Sequence, residues 1–241
     1  MLSISVIIPT LNEAARLPAL LECLAAQTLA PREIIVCDGN SADQSAAIAR
    51  DFPGVSLLHS ERGTSRQRNF AARAATGELL IFLDADDAPD PHFLWNVAQS
   101  YRKFPFAVAC PWFVARDAGF LVRAIYFGFN LGFYFSQSIL RVGSGVCLIC
   151  PREKFLAGGG FNENLHLGED VHLIRQLCPR FGWHRHLLIP LETSGRRFQN
   201  DGAARLLFFY ALISPLILLG LWQPLQKMKY RAAPYVTNSK N

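Results

Sequence analysis

Asp84 and Asp86 stand one residue apart at the end of the apolar run Leu79-Leu80-Ile81-Phe82-Leu83. On extended backbone, side chains at i and i+2 share a face, so both carboxylates can point into one site. Two anionic groups crowded together repel unless a cation lies between or near them. Hard oxygen ligands of this kind favour magnesium or manganese, held by one or two carboxylates plus substrate phosphates. The same stretch, Asp84-Ala85-Asp86-Asp87-Ala88-Pro89, also has the composition of a solvated turn. Which reading holds depends on what the rest of the chain brings to the same place.

To hold that pair, Leu79–Leu83 must be a strand buried on both faces, the pattern of a parallel sheet. Ile4–Ile8, closed by Pro9, reads as a first strand, and Glu33–Cys37 as a second that ends in Asp38-Gly39-Asn40-Ser41-Ala42-Asp43. Asn12 reads as the N-cap of a helix with the apolar stripe Leu17, Leu20, Leu21 and Leu24. A helix to Arg50 and a strand at Val55–His59 follow. Thr64 is placed to cap a helix carrying Arg66, Arg68, Asn69 and Arg73, with Gly77 ending it. Asp90-Pro91 starts a further helix through Arg102. Alternating strands and helices predict an α/β, doubly wound, mostly parallel sheet flanked by helices, with ligands beyond the carboxyl ends of the strands. Three of those ends carry Pro9-Thr10-Leu11-Asn12-Glu13, Asp38-Gly39 and Asp84-Ala85-Asp86. Neither a G-x-G-x-x-G turn nor a P-loop is present, which leaves a nucleotide held by side chains and a metal.

The second half is less regular. Phe120–Leu140 is densely aromatic and broken by Gly128 and Gly132, too dense for one helix face to bury, so part of it is expected to meet an apolar acceptor or lipid. Gly143–Cys150 reads as a strand, Gly158-Gly159-Gly160-Phe161 as a tight turn, and Gly168-Glu169-Asp170 as the start of a helix with Val171, Ile174 and Leu177 inward. Acidic residues there are ordinarily dipole-stabilising caps. Hydrophobic residues make up 51% of the 241, enough for a sizeable core, and the net charge of +5 implies anionic partners. No nucleic-acid recognition motif accompanies that charge. Cys147 and Cys150 would face opposite ways on a strand and so cannot share a metal; reduced, buried thiols are expected. Because Ser3–Pro9 already reads as a strand, no signal peptide is expected before it. Leu206–Trp222 is free of charge, with Arg205 before it and Lys227, Lys229 and Arg231 after. Interrupted by Pro215, it reads as a short or broken span, a re-entrant hairpin or an interfacial helix, with a buried core helix as the alternative.

Taken in order, Ser5-Val6-Ile7-Ile8-Pro9-Thr10-Leu11-Asn12-Glu13, Asp38-Gly39-Asn40-Ser41-Ala42-Asp43, Asp84-Ala85-Asp86, Gly159-Gly160-Phe161 and Glu169-Asp170 closely resemble family 2 glycosyltransferases of the GT-A fold. The resemblance runs roughly from Ser3 to Phe198. It implies an inverting transferase that uses a nucleotide-diphosphate sugar and Mg2+ or Mn2+. By it, Pro9, Thr10, Glu13 and Asp38 line the nucleoside pocket, Asp84 and Ala85 face the ribose or base, and Asp86 binds the metal. Asp170 is the implied general base, Glu169 a neighbouring contact to acceptor or phosphate, and Arg66 and Arg68 neutralise phosphate unless they lie on a solvated helix face. Ser194-Gly195-Arg196-Arg197-Phe198 resembles a Q-x-x-R-W element, with Ser and Phe where Gln and Trp would stand. That departure points to single addition rather than processive synthesis, and Arg196 and Arg197 become contacts to donor or lipid phosphate. The expected organisation is a glycosyltransferase domain at 1–202 (nucleotide-sugar half 1–102, acceptor and catalytic half 103–202) and a membrane-associating, basic segment at 203–241. The enzyme would work at the cytoplasmic face of the membrane, peripheral or anchored, on a lipid-linked or otherwise apolar acceptor in cell-envelope glycan or glycolipid synthesis. A sugar nucleotidyltransferase, or a noncatalytic module binding sugar nucleotide or anionic lipid, would use some of the same residues.

Overall fold

Alternate residues of a covered strand serve opposite sides of its sheet. In the computed structural model, which describes residues 2–137, 139–143, 145–196, 198 and 202–227, β4 (Leu79–Leu83) is buried at every position. Leu79, Ile81 and Leu83 join one core cluster, and Leu80 and Phe82 join another. Beside β4 lie β1 (Ile4–Thr10), β2 (Glu33–Asp38) and β3 (Val55–His59), all parallel. On its other side the direction reverses. β6 (Cys147–Pro151) runs antiparallel both to β4 and to β5 (Val108–Ala115), and β5 pairs in parallel with β7 (His184–Thr193). The seven strands lie in the order β3-β2-β1-β4-β6-β5-β7, a mostly parallel sheet as expected.

Helices cover both faces. The first cluster takes its apolar residues from α1 (Leu17–Ala25), α2 (Ser45–Asp51) and α4 (Phe93–Lys103). The second takes them from α3 (Thr64–Ala74), α6 (Arg152–Gly158) and α7 (Glu169–Phe181). Cys147 lies in the first cluster and Cys150 in the second, so the two thiols do face apart. Beyond the main core, α5 (Phe120–Ser136) and α8 (Ala203–Leu219) meet through Phe129 and Tyr210, and α9 (Trp222–Lys227) follows.

A side-chain amide pins α5 to the sheet. Asn130, fully buried, accepts a hydrogen bond from the Phe113 N–H (3.1 Å) and donates to the Phe113 carbonyl (2.8 Å), as a neighbouring strand would. It meets an edge of β5 that β6, registered at Ala109, does not extend to cover.

Several local expectations need correction. Asn12 does not cap α1: it adopts a left-handed φ of 56°, its amide donates to Ser41 Oγ, and its Oδ1 accepts from the Ala42 N–H. It therefore links the loops after β1 and β2. Gly77 does not end α3, which stops at Ala74; a Cβ there would lie 2.6 Å from the Ser5 backbone nitrogen, so close approach to β1 demands the glycine. The strand expected from Gly143 begins only at Cys147, and the short helix α6 was not foreseen. Neither Gly128 nor Gly132 breaks α5, because both lie on its open side. No helix among the described residues is long and apolar enough to cross a membrane. At 17 residues α8 is about 25 Å long against a hydrocarbon core of about 30 Å, and its Leu206 and Ile213 are buried against the protein.

Candidate active site

The segment after β4 is both a turn and a site. The Asp87 N–H donates to the Asp84 carbonyl (3.0 Å), and the Asp84 N–H donates back to Asp87 Oδ2 (2.8 Å). Asp87 thus clips the turn, while Ala85 packs into the core and Asp84 and Asp86 pair with different arginines, Arg68 and Arg196. Asp86 is buried, and loss of hydration, then the neighbouring Asp84 carboxylate, raise its pKa against the pull of Arg196. Asp87 is raised well above the usual carboxylate range by burial and then by Asp84 and Asp86. Its Oδ1 accepts no hydrogen bond among the described residues.

The interior of α3 supplies the counter-charge. Arg68 is 2% exposed and its Nη2 lies 2.7 Å from Asp84 Oδ1. Burial works against its charge, but Asp84, with Glu169 and Asp170, outweighs that and raises its pKa. Arg68 therefore sits in the field of two acidic centres that are far apart in sequence. Its neighbours fix the helix in place. Gln67 donates to the Thr10 and Cys37 carbonyls (2.8 and 2.7 Å), tying the ends of β1 and β2. Asn69 exchanges hydrogen bonds with the backbone N–H and C=O of Phe161 (2.8 and 2.9 Å). Arg66 does not share this place. Its guanidinium is partly exposed and pairs with Glu61 (2.6 Å) and Glu163 (3.7 Å), because helix positions two apart point about 200° away from each other.

Asp170 lies in the first turn of α7, after Gly168 in a left-handed conformation. Loss of hydration, followed by the charge of Glu169, raises its pKa to about 7 although the Val171 N–H and Arg68 pull it down. Its Oδ2 would be 2.9 Å from a Cβ at Gly145, so the glycine leaves the carboxylate its room.

On the other flank, Glu13 is buried beside β1's end, its carboxylate 3.2 Å from Arg196 Nη2 and 3.5 Å from Arg16 Nη1. Arg196 reaches further, its Nε standing 3.0 Å from Asp86 Oδ2. Arg196 is thus gathered with the β1 and β4 ends, whereas Arg197 lies outside the described residues. Asp38, buried at the end of β2, accepts from the Ser41 N–H (3.0 Å) on Oδ2, and its Oδ1 has no donor among the described residues. Pro9 and Thr10 close β1 beside it, paired with Cys37 and Asp38.

Of the residues expected at the site, Thr10, Glu13, Asp38, Arg68, Asp84, Asp86, Glu169, Asp170 and Arg196 line one edge of the sheet and the α7 terminus. Asp87, Gln67, Asn69 and Gly145 were missed. Asp87 was visible as the third acidic residue within four positions; the other three carry no periodic signal. The described residues contain no group of three or more His, Cys, Asp or Glu side chains able to hold a metal by themselves. The donor set nevertheless fits a hard divalent cation completed by substrate oxygens: Asp86 offers a buried carboxylate that already holds a cationic group, the Arg196 guanidinium, at 3.0 Å.

Residues 5–151 match the family model Glycosyl transferase family 2. A PGL/p-HBAD biosynthesis glycosyltransferase of Mycobacterium tuberculosis is 41% identical over 90 residues, 35% of each chain. The pre-mycofactocin glycosyltransferase of the same species is 26% identical over 228 residues, 88% of this chain and 47% of that one. The chain thus spans between about a third and a half of the curated relatives it matches. Among solved structures, the mannosyltransferase PcManGT from Pyrobaculum calidifontis, in complex with GDP-Man and Mn2+, superposes with a TM-score of 0.67 at 22% identity, covering 88% of this chain and 64% of that one. S. aureus TarS 1-349 in complex with UDP-GlcNAc gives 0.65 at 21%, covering 81% and 59%. At such identities the likeness is one of fold. With the family model matching over half of its length, the chain belongs to glycosyl transferase family 2.

Proposed function

We propose that the protein is an inverting hexosyltransferase that moves a sugar from a nucleotide-diphosphate donor to an acceptor hydroxyl or phosphate, with Mg2+ or Mn2+ held at Asp86. The observation that carries this reading is the buried Arg68, whose Nη2 lies 2.7 Å from Asp84 Oδ1 just after β4 and whose charge is favoured further by Glu169 and Asp170 at the start of α7. The presence of GDP-Man with Mn2+, and of UDP-GlcNAc, in structures of like fold supports such a donor.

In this reading the unsatisfied Oδ1 of Asp38 takes an N–H or O–H of the nucleoside, beside Pro9 and Thr10. Inversion is an in-line displacement: the acceptor oxygen bonds to the anomeric carbon while the bond to the diphosphate oxygen breaks, and a hydroxyl acceptor gives its proton to Asp170. When bound, the cation stabilises the charge gathering on the departing diphosphate. A carboxylate with a pKa raised to about 7 is ionised in useful measure at neutral pH yet basic enough to accept that proton. Arg68 holds Asp84 in place and moderates the charge around Asp170. Acceptors of lipid-linked or otherwise apolar character suit the outward aromatic faces of α5 and α8, and the cytoplasmic face of the membrane is the working place this implies.

The test is a screen of UDP- and GDP-sugars for hydrolysis or transfer with Mn2+ or Mg2+, repeated in EDTA. Cation-dependent turnover of one sugar nucleotide, lost in Asp170→Asn, is the expected result. Release of inorganic diphosphate from a nucleoside triphosphate instead would make the protein a nucleotidyltransferase.

A further inference from the structure

Arg196 joins two acidic residues from different strand ends. Nη1 and Nη2 reach the two carboxylate oxygens of Glu13 at 3.4 and 3.2 Å, while Nε lies 3.0 Å from Asp86 Oδ2. The carboxylates are 11% and 9% exposed, and two such groups facing one another so far from water need a cation between them. A guanidinium meets that need with a planar fork matched to carboxylate oxygens, and it matches phosphate oxygens equally well.

We propose that Arg196 is a resident counter-cation which occupies Asp86 in the donor-free protein and hands it to the divalent metal only as a diphosphate arrives to receive the guanidinium. This rests on the reading of Asp86 as the metal ligand. Metal alone must displace Arg196 from Asp86 and forfeit that ion pair. Diphosphate alone must draw Arg196 away and leave Asp86 uncompensated. Bound together, each removes the cost the other faces, so the two bind with positive coupling, and by reciprocity the coupling is the same from either side. The arginine thereby keeps stray divalent cations out of a site that has no sugar nucleotide in it. Arg196 lies three residues beyond the end of β7 and is partly exposed, so its guanidinium is open to an incoming ligand.

The measurement is Mn2+ binding to the full chain, followed by the electron paramagnetic resonance of free Mn2+, first alone and then with UDP or GDP. Without nucleotide, Arg196→Gln is expected to bind Mn2+ about tenfold tighter than the wild type, within the usual range of such couplings. Adding Asp86→Asn to that variant should remove the gain. UDP or GDP should tighten Mn2+ binding in the wild type far more than in Arg196→Gln. Arg196→Lys keeps the charge but cannot fork Glu13 while touching Asp86, so it too should bind Mn2+ tighter than the wild type, and it serves if the Gln variant does not fold. If the wild type binds Mn2+ with nucleotide present and neither variant alone binds it more tightly, the counter-cation role is overturned and the metal site stands. If no form binds Mn2+ under any condition, both readings fall.

Discussion

At the scale of single residues, Asp170 separates two accounts of the same position. As a base it takes a proton in the transition state and does nothing for donor binding. Asp170→Asn keeps its shape and most of its hydrogen bonding, so turnover should fall by about two to four orders of magnitude while donor affinity stays within a few-fold. As a helix cap, Asn serves about as well as Asp and turnover would survive; near-normal steady-state rates would therefore sink the assignment. The raised pKa gives a second, independent readout. The folded protein holds this proton up to about pH 7, whereas the unfolded chain releases it near pH 4. Stability therefore declines as pH rises from about 4 to about 7 and carries the full deficit above that. Asp170→Asn should accordingly be more stable than the wild type at pH 8, by on the order of 1–2 kcal/mol once partial solvent contact is allowed for. That advantage should vanish near pH 4, and equal melting temperatures at pH 8 would show that the carboxylate is not desolvated. Wild-type turnover, in turn, should rise as pH passes through about 7. At Asp86, replacement by Ala should abolish the metal-dependent part of sugar-nucleotide affinity; calorimetric titrations that match with and without EDTA in both proteins would remove the cation from that residue.

At the scale of elements, the site is held by α3 and by the turn at Gly145. Gly145→Ala places a methyl 2.9 Å from Asp170 Oδ2, so either the carboxylate or the turn must move. A displacement well under an ångström is expected to lower turnover about tenfold with little change in donor affinity, and an unchanged rate would show that Asp170 has room to spare. How much of this could be read from the chain follows from what each element asks of its residues. β1, β2 and β4 are buried on both faces, so their mostly apolar runs announce them, broken in β1 only by Ser5, and the polar residues at their ends stand out. In α3 the signal fails. Arg66 and Arg68 look alike in sequence, yet one is on the surface with Glu61 and the other is buried against Asp84, because two steps along a helix reverse the facing. Gln67 and Asn69 are buried for the hydrogen bonds they make to strand ends and to Phe161, a reason no hydrophobic pattern records. The contact of Arg196 with Asp86 joins residues 110 positions apart and follows from the meeting of the β4 and β7 ends. α6 is a seven-residue helix that buries only Phe155 and Gly158, too few positions to set a period.

At the scale of the molecule, α5 and α8 carry many of its exposed large apolar side chains. Phe120 and Phe135 on α5 are 89% and 72% exposed, and Phe208 and Leu219 on α8 are each 73% exposed, while the opposite sides of both helices pack through Tyr126, Asn130, Leu206 and Ile213. The stretches 118–143 and 202–227 contain no acidic residue, and the exposed Arg123, Arg141 and Arg205 lie within them. Docked helices with outward apolar faces and basic neighbours suit a protein lying on an anionic bilayer, and α8 is too short to cross one. Truncation before Arg205 would be a poor test, since it strips Leu206 and Ile213 from the core as well. Substituting Phe120, Phe135, Phe208 and Leu219 together by Ser touches only the outward faces. The wild type should sediment with vesicles containing phosphatidylglycerol, less so as salt is raised, and the fourfold variant should stay in the supernatant with its melting temperature unchanged or slightly raised. If the two proteins partition alike, the apolar faces do not bind the bilayer. Turnover of a water-soluble acceptor should be the same in both, because no substituted residue lies among the carboxylates and arginines of the site. A lipid-linked acceptor should be used well by the wild type alone.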